Sequence, residues 1–96
     1  MYVKILGKRW HLKFVPKSRA RGWFGLCSHP DTPQRTITVE AGHVQSVELE
    51  VTIHECLHAA SFPLSEEFVT EFAADVSRIL FRLGWRKTDG STDSEA

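Results

Sequence analysis

Apolar and polar positions alternate with the period of a strand up to Glu40, and with the period of a helix beyond it. Residues 2–6 (Tyr-Val-Lys-Ile-Leu) are strand formers, and Gly7-Lys8-Arg9 reads as a turn. Trp10 to Val15 sets Trp, Leu and Phe against His and Lys, the signature of a half-buried strand, so the two segments predict a hairpin that ends at Pro16. Lys17 to Arg21 is a basic loop, Gly22 to Ser28 a third strand, and His29-Pro30-Asp31-Thr32-Pro33 a turn. Arg35 to Glu40 alternates again, with Ile37 and Val39 on one face. Ala41 to Gln45, containing Gly42, is a loop.

Two helices follow. Ser46 is a suitable N-cap with Glu48 in the first turn, and this helix runs to Ser61 or Phe62, where Pro63 stops it. Ser65 caps the second, with Glu66 and Glu67 at its positive end. That helix runs to about Leu83, with Gly84 as the residue that ends it. The pattern predicts one α+β domain over 1–87, a small, mainly antiparallel sheet and two helices. A disordered polar tail is expected over 88–96.

Composition narrows the class. At 42% hydrophobic and 25% charged the chain is typical of a globular domain. No run approaches the roughly 18 apolar residues of a membrane span, so no membrane partner is expected. Met1 to Trp10 lacks the long apolar run and small-residue cleavage site of a signal peptide, so the expected compartment is the cytoplasm. Cys27 and Cys56 form no Cys-x-x-Cys, which disfavours a disulfide scaffold and a cysteine-built zinc knuckle. By phase, Cys56 should face the core. The formal net charge of zero hides a division: residues 1–35 hold eight bases and one acid, residues 36–96 eleven acids and four bases. The basic half suits nucleic acid or an acidic protein partner, or it is simply a solvated sheet face.

The chemistry lies on the first helix. His54-Glu55-Cys56-Leu57-His58 is H-E-x-x-H. Residues four apart lie about 40° apart around a helix, so both imidazoles point to one side and can share a zinc ion. Glu55, on the flank, can take a proton from zinc-bound water as general base. With His54 at 0°, Leu49, Ile53, Leu57 and Ala60 fall at about 220–300°, a core face separate from the histidines.

A catalytic zinc needs a third protein ligand and an open position. The second helix offers Glu66, Glu67, Glu71 and Asp75. Reflecting the histidines through a bend at Pro63-Leu64 lands near residue 71. With Phe68 at 0°, the apolar residues of this helix span about 0–140°, and Glu71 lies closer to that arc than Glu67. Glu71 is therefore the expected ligand and Glu67 the runner-up. Asp75, one turn on, is expected to accept the second N–H of His54 and orient it, unless it pairs with Arg78 or Arg82 along its own helix.

With these residues in hand, the chain resembles the small zincin-like metallopeptidases of the gluzincin type, in which H-E-x-x-H is joined by a downstream Glu. It is most similar to the minimal versions of about a hundred residues found in phages and microbes. The resemblance covers roughly residues 36–85. It rests on Ile37-Thr38-Val39, on Thr52 to Ala59, and on Glu67 to Asp75 with its Glu-x-x-x-Asp arrangement. It implies zinc-dependent hydrolysis of peptide or protein substrates, in a host cytoplasm if the gene is phage-borne. It also implies an edge strand beside the zinc, for which Thr36, Ile37, Thr38 and Val39 are the expected residues. His29, His43 and Tyr2 are candidates for an oxyanion stabiliser by residue type alone. The rival reading is a non-catalytic, zinc-stabilised module that binds through its basic half.

Overall fold

The computed structural model describes residues 1–16 and 23–88. The expected Lys17–Arg21 loop, Gly22 of the expected third strand and all but the first residue of the tail lie outside that range. The elements are β1 (Tyr2–Ile5), β2 (Lys8–Val15), β3 (Gly25–Cys27), β4 (Thr36–Glu40), α1 (Gln45–Ala60) and α2 (Glu66–Arg82). The class is α+β, as the pattern predicts.

β1 and β2 form the expected hairpin, but its turn is Leu6-Gly7, with Ile5 opposite Lys8. Both turn residues have positive φ, 50° and 80°, the twist that a two-residue hairpin connection demands. Strand β2 therefore begins at Lys8. The sheet order is β1-β2-β4-β3. β2 runs parallel to β4, and β3 runs antiparallel to β4 on its other side. Two of the three pairings are antiparallel, so the sheet is mainly antiparallel as expected. It is mixed because β2 and β4 run parallel, with β3 formed in the connection between them and lying on the outer edge.

Register puts Val3, Trp10, Leu12, Ile37, Val39 and Cys27 on one face of the sheet. Trp10, Ile37 and Val39 are fully buried there, and Val51, Cys56 and Ala59 of α1 pack against them. The sequence places the core face of α1 on Leu49, Ile53 and Leu57. In the fold α1 is packed on two sides, by the sheet and by α2, and the residues against the sheet core are the other set. Cys56 faces that core as expected.

α1 begins two residues earlier than expected, with Val44 rather than Ser46 at the cap position and no side-chain cap. Lys87, from beyond α2, ties to the side chains of this helix start, its N–H donating to Gln45 Oε1 and its ammonium to Glu48. α1 closes at Ala60, short of Pro63. α2 begins as expected, with Ser65 Oγ accepting from Phe68 N–H at 3.1 Å. It ends with Gly84 at φ 97°, and Trp85 N–H and Gly84 N–H bond back to Leu80 and Phe81 carbonyls, a Schellman closure. No helix among the described residues is long and apolar enough to cross a membrane.

Candidate metal centre

His54 and His58 stand one turn apart on α1, their ring centroids 5.0 Å apart and edge-on. Both Nε2 atoms meet one carboxylate: His54 is 3.0 Å from Glu66 Oε2 and His58 is 2.8 Å from Glu66 Oε1. One ligand atom from each of the three lies within 4.8 Å of the others. Two imidazoles and a carboxylate converging in this way form a donor set that suits a divalent cation. The imidazoles are largely covered while Glu66 is exposed, so the group opens to solvent on the α2 side.

Glu66, and not Glu71, stands at the histidines. The physical reason lies in how α2 spends its apolar residues. Val69, Ala73 and Ser77 are buried, whereas Phe68, Phe72, Ile79 and Leu83 are exposed. The apolar arc is therefore two faces, and only one packs inward. Glu66 lies one turn before Val69 and two before Ala73, on that inward face. Glu71 lies about 140° away around the helix and Asp75 about 180° away. Asp75 accordingly points outward and takes the Arg78 guanidinium in an ion pair; it does not orient His54. Glu67 is exposed as well. The signal that could have identified Glu66 is the 3-4-4 run Glu66, Val69, Ala73, Ser77, whose small residues allow close helix approach.

Glu55 is buried, at 8% exposure. Burial pushes its carboxyl above the ordinary glutamate value, the flanking imidazoles of His54 and His58 oppose the rise, and Glu66 adds to it. Its side chain lies against the backbone of Gly25. A Cβ built there would sit 2.9 Å from Glu55 Cγ and 2.7 Å from Val51 Cγ1. Glycine is thus what lets β3 come this close to α1. A cleft of about 340 Å³ runs alongside, lined by Gly25, Leu26, Cys27, Phe62 and the four motif and ligand side chains. Burial, with Glu55 and Cys56 nearby, pushes the Cys27 thiol up to about 12.

Thr36–Val39 does not border this cleft as an edge. It forms most of β4, which is paired on both sides, and the free edge belongs to β3. Ser28 N–H bonds to Thr36 O, and Glu40 N–H bonds to Phe24 O. By the alternation of an antiparallel ladder, the N–H and C=O groups of Gly25 and Cys27 then face outward. Of the three oxyanion candidates, Tyr2 lies on the opposite sheet face beside His11 and Arg9. His43 is held by Glu40 in a covered pair. His29 rests on Phe62 at 4.6 Å, and Phe62 in turn lies 6.2 Å from His58.

Comparison with known proteins returned no matching family model, no matching curated protein and no matching solved structure.

Proposed function

We propose that the chain is a zinc-dependent metallopeptidase. The observation that carries the reading is the convergence of His54, His58 and Glu66 within 4.8 Å beside a buried Glu55. Three protein donors of this kind leave the fourth zinc position open, the arrangement of a catalytic rather than a structural site. When bound, zinc supplies a Lewis acid for the scissile carbonyl and lowers the pKa of water.

The chain's own groups account for the rest. Glu55, its carboxylate made more basic by burial, accepts a proton from the attacking water and returns it to the leaving amine. The outward backbone groups of Gly25 and Cys27 pair with an extended peptide as an added strand. Exposed Leu26 and Phe62 flank the cleft and offer contact to apolar side chains of that peptide.

The test is metal analysis of protein purified without added zinc, followed by hydrolysis of an unstructured polypeptide. Glu55→Gln should keep full metal content and lose about 10²–10⁴-fold in rate. Activity that survives the substitution at full metal content refutes the reading.

A specific observation also favours the second reading, binding through the basic half. The sheet face opposite α1 carries Tyr2, Lys4, Arg9, His11 and Lys13 in register, with the Arg9 guanidinium 4.0 Å over the Tyr2 ring. Such a face suits the backbone and bases of single-stranded nucleic acid. That reading expects oligonucleotide binding that weakens steeply with salt and is indifferent to Glu55→Gln.

A further inference from the structure

α2 carries a second apolar face that nothing in the described chain covers. Phe68, Phe72, Ile79 and Leu83 are 47%, 43%, 55% and 70% exposed, and Phe68 and Phe72 stack on one another at 5.6 Å. Half-buried Val76 lies between Phe72 and Ile79 along the stripe. Phe72, Val76, Ile79 and Leu83 follow the 4-3-4 spacing of a helix-pairing seam. The stretches outside the described residues, 17–22 and 89–96, contain no large apolar side chain and so offer nothing to cover the stripe.

The charges beside the stripe say what does. Glu67, Glu71, Asp75, Arg78 and Arg82 all lie on one flank of it, acids in the first half of the helix and bases in the second. Two antiparallel copies related by a two-fold axis bring like flanks together with their order reversed. The stripe from Phe68 to Leu83 has its centre between Asp75 and Val76. Reflection through that point sets Glu71 between the levels of Arg78 and Arg82 of the other copy, Asp75 near Arg78, and Glu67 near Arg82. A parallel pair would instead set this charged flank against the opposite flank of the other copy, which carries Val69, Ala73 and Leu80 and no partner for the charges.

We infer that α2 pairs antiparallel with α2 of a second copy of this chain, making the protein a two-fold dimer. The seam joins the apolar stripe to a self-complementary charged flank. Glu66, on the inward face of α2, stays outside it, so the candidate metal centre is left free in both copies.

Sedimentation equilibrium of the full chain tests this. The wild type should be a dimer and Ile79→Glu a monomer with unchanged far-ultraviolet circular dichroism. Glu71→Arg and Arg82→Glu should each weaken association by roughly tenfold, since each exposed ion pair contributes modestly and occurs twice. The two substitutions in one chain should restore it. A wild type that stays monomeric at every concentration overturns the inference, as does a double variant no stronger than the single ones.

Discussion

Gly25 is where β3 and the candidate base are fitted to one another. A methyl group there would fall 2.7 Å from Val51 Cγ1, a branched atom on a packed helix with little room to retreat. Gly25→Ala should therefore destabilise the fold by about 1–3 kcal/mol, the usual cost of overpacking, and displace Glu55. Denaturant unfolding and peptide hydrolysis measured together would check it. A fully stable and fully active variant would mean that this contact positions nothing. Next to it, the Cys27 thiol is pushed from 9.0 up to about 12. That is a thousandfold loss of thiolate near pH 8, so Cys27 should resist alkylation in the native protein and react at once when unfolded. Its native rate should climb with pH well beyond 9, which mass-resolved labelling of Cys27 would reveal. Glu55 itself sits above its ordinary 4.5 through burial. Without metal, its contribution to stability is intact below that value and is lost as pH rises through the raised one. Glu55→Gln should accordingly leave the melting temperature unchanged at acid pH and raise it at neutral pH in the presence of chelator.

At the level of elements, the first turn of α2 joins folding to chemistry. Ser65 accepts from Phe68 N–H and sets the turn from which Glu66 reaches both imidazoles. Glu66→Gln should sharply weaken zinc binding, whereas Glu71→Gln should leave it unchanged; competition titration against a chromogenic chelator separates the two. Equal effects would mean that the third donor comes from elsewhere. This contrast also marks how far the sequence could be read. Strand positions, both helices, the Ser65 cap and the Gly84 stop follow from periodicity and local backbone chemistry, which a single chain carries openly. His54, Glu55 and His58 follow from spacing within one helix. Glu66 depends on which way α2 is rolled against α1. A helix with two apolar faces hides that roll, because hydrophobicity alone does not say which face is inside. Likewise the strand order is a long-range choice. The alternation of Ile37 and Val39 identifies β4 as a strand, yet nothing local says that β2 and β3 take both of its edges.

Across the whole molecule, the fully or nearly buried apolar residues are few: Trp10, Ile37, Val39, Ala59, Val69 and Ala73 among those described. A domain this small buries a modest fraction of its surface and gains from any staple. The staple at hand is the candidate centre, since His54 and His58 come from α1 and Glu66 from α2, and α2 packs chiefly on α1 rather than on the sheet. A cation that binds only when the two helices are docked stabilises the fold by mass action, by about 2.7 kcal/mol at a hundredfold excess over Kd. For a domain of this length that corresponds to an increase in melting temperature of roughly 10–20 °C. Calorimetry of the chelator-treated chain with and without added zinc should show this shift, reversed by renewed chelation and absent in His58→Ala. Because the two helices separate on unfolding, the shift should also grow with free zinc concentration. A melting temperature indifferent to zinc would mean that the two helices share no ion, and the proposed hydrolysis would lose its metal.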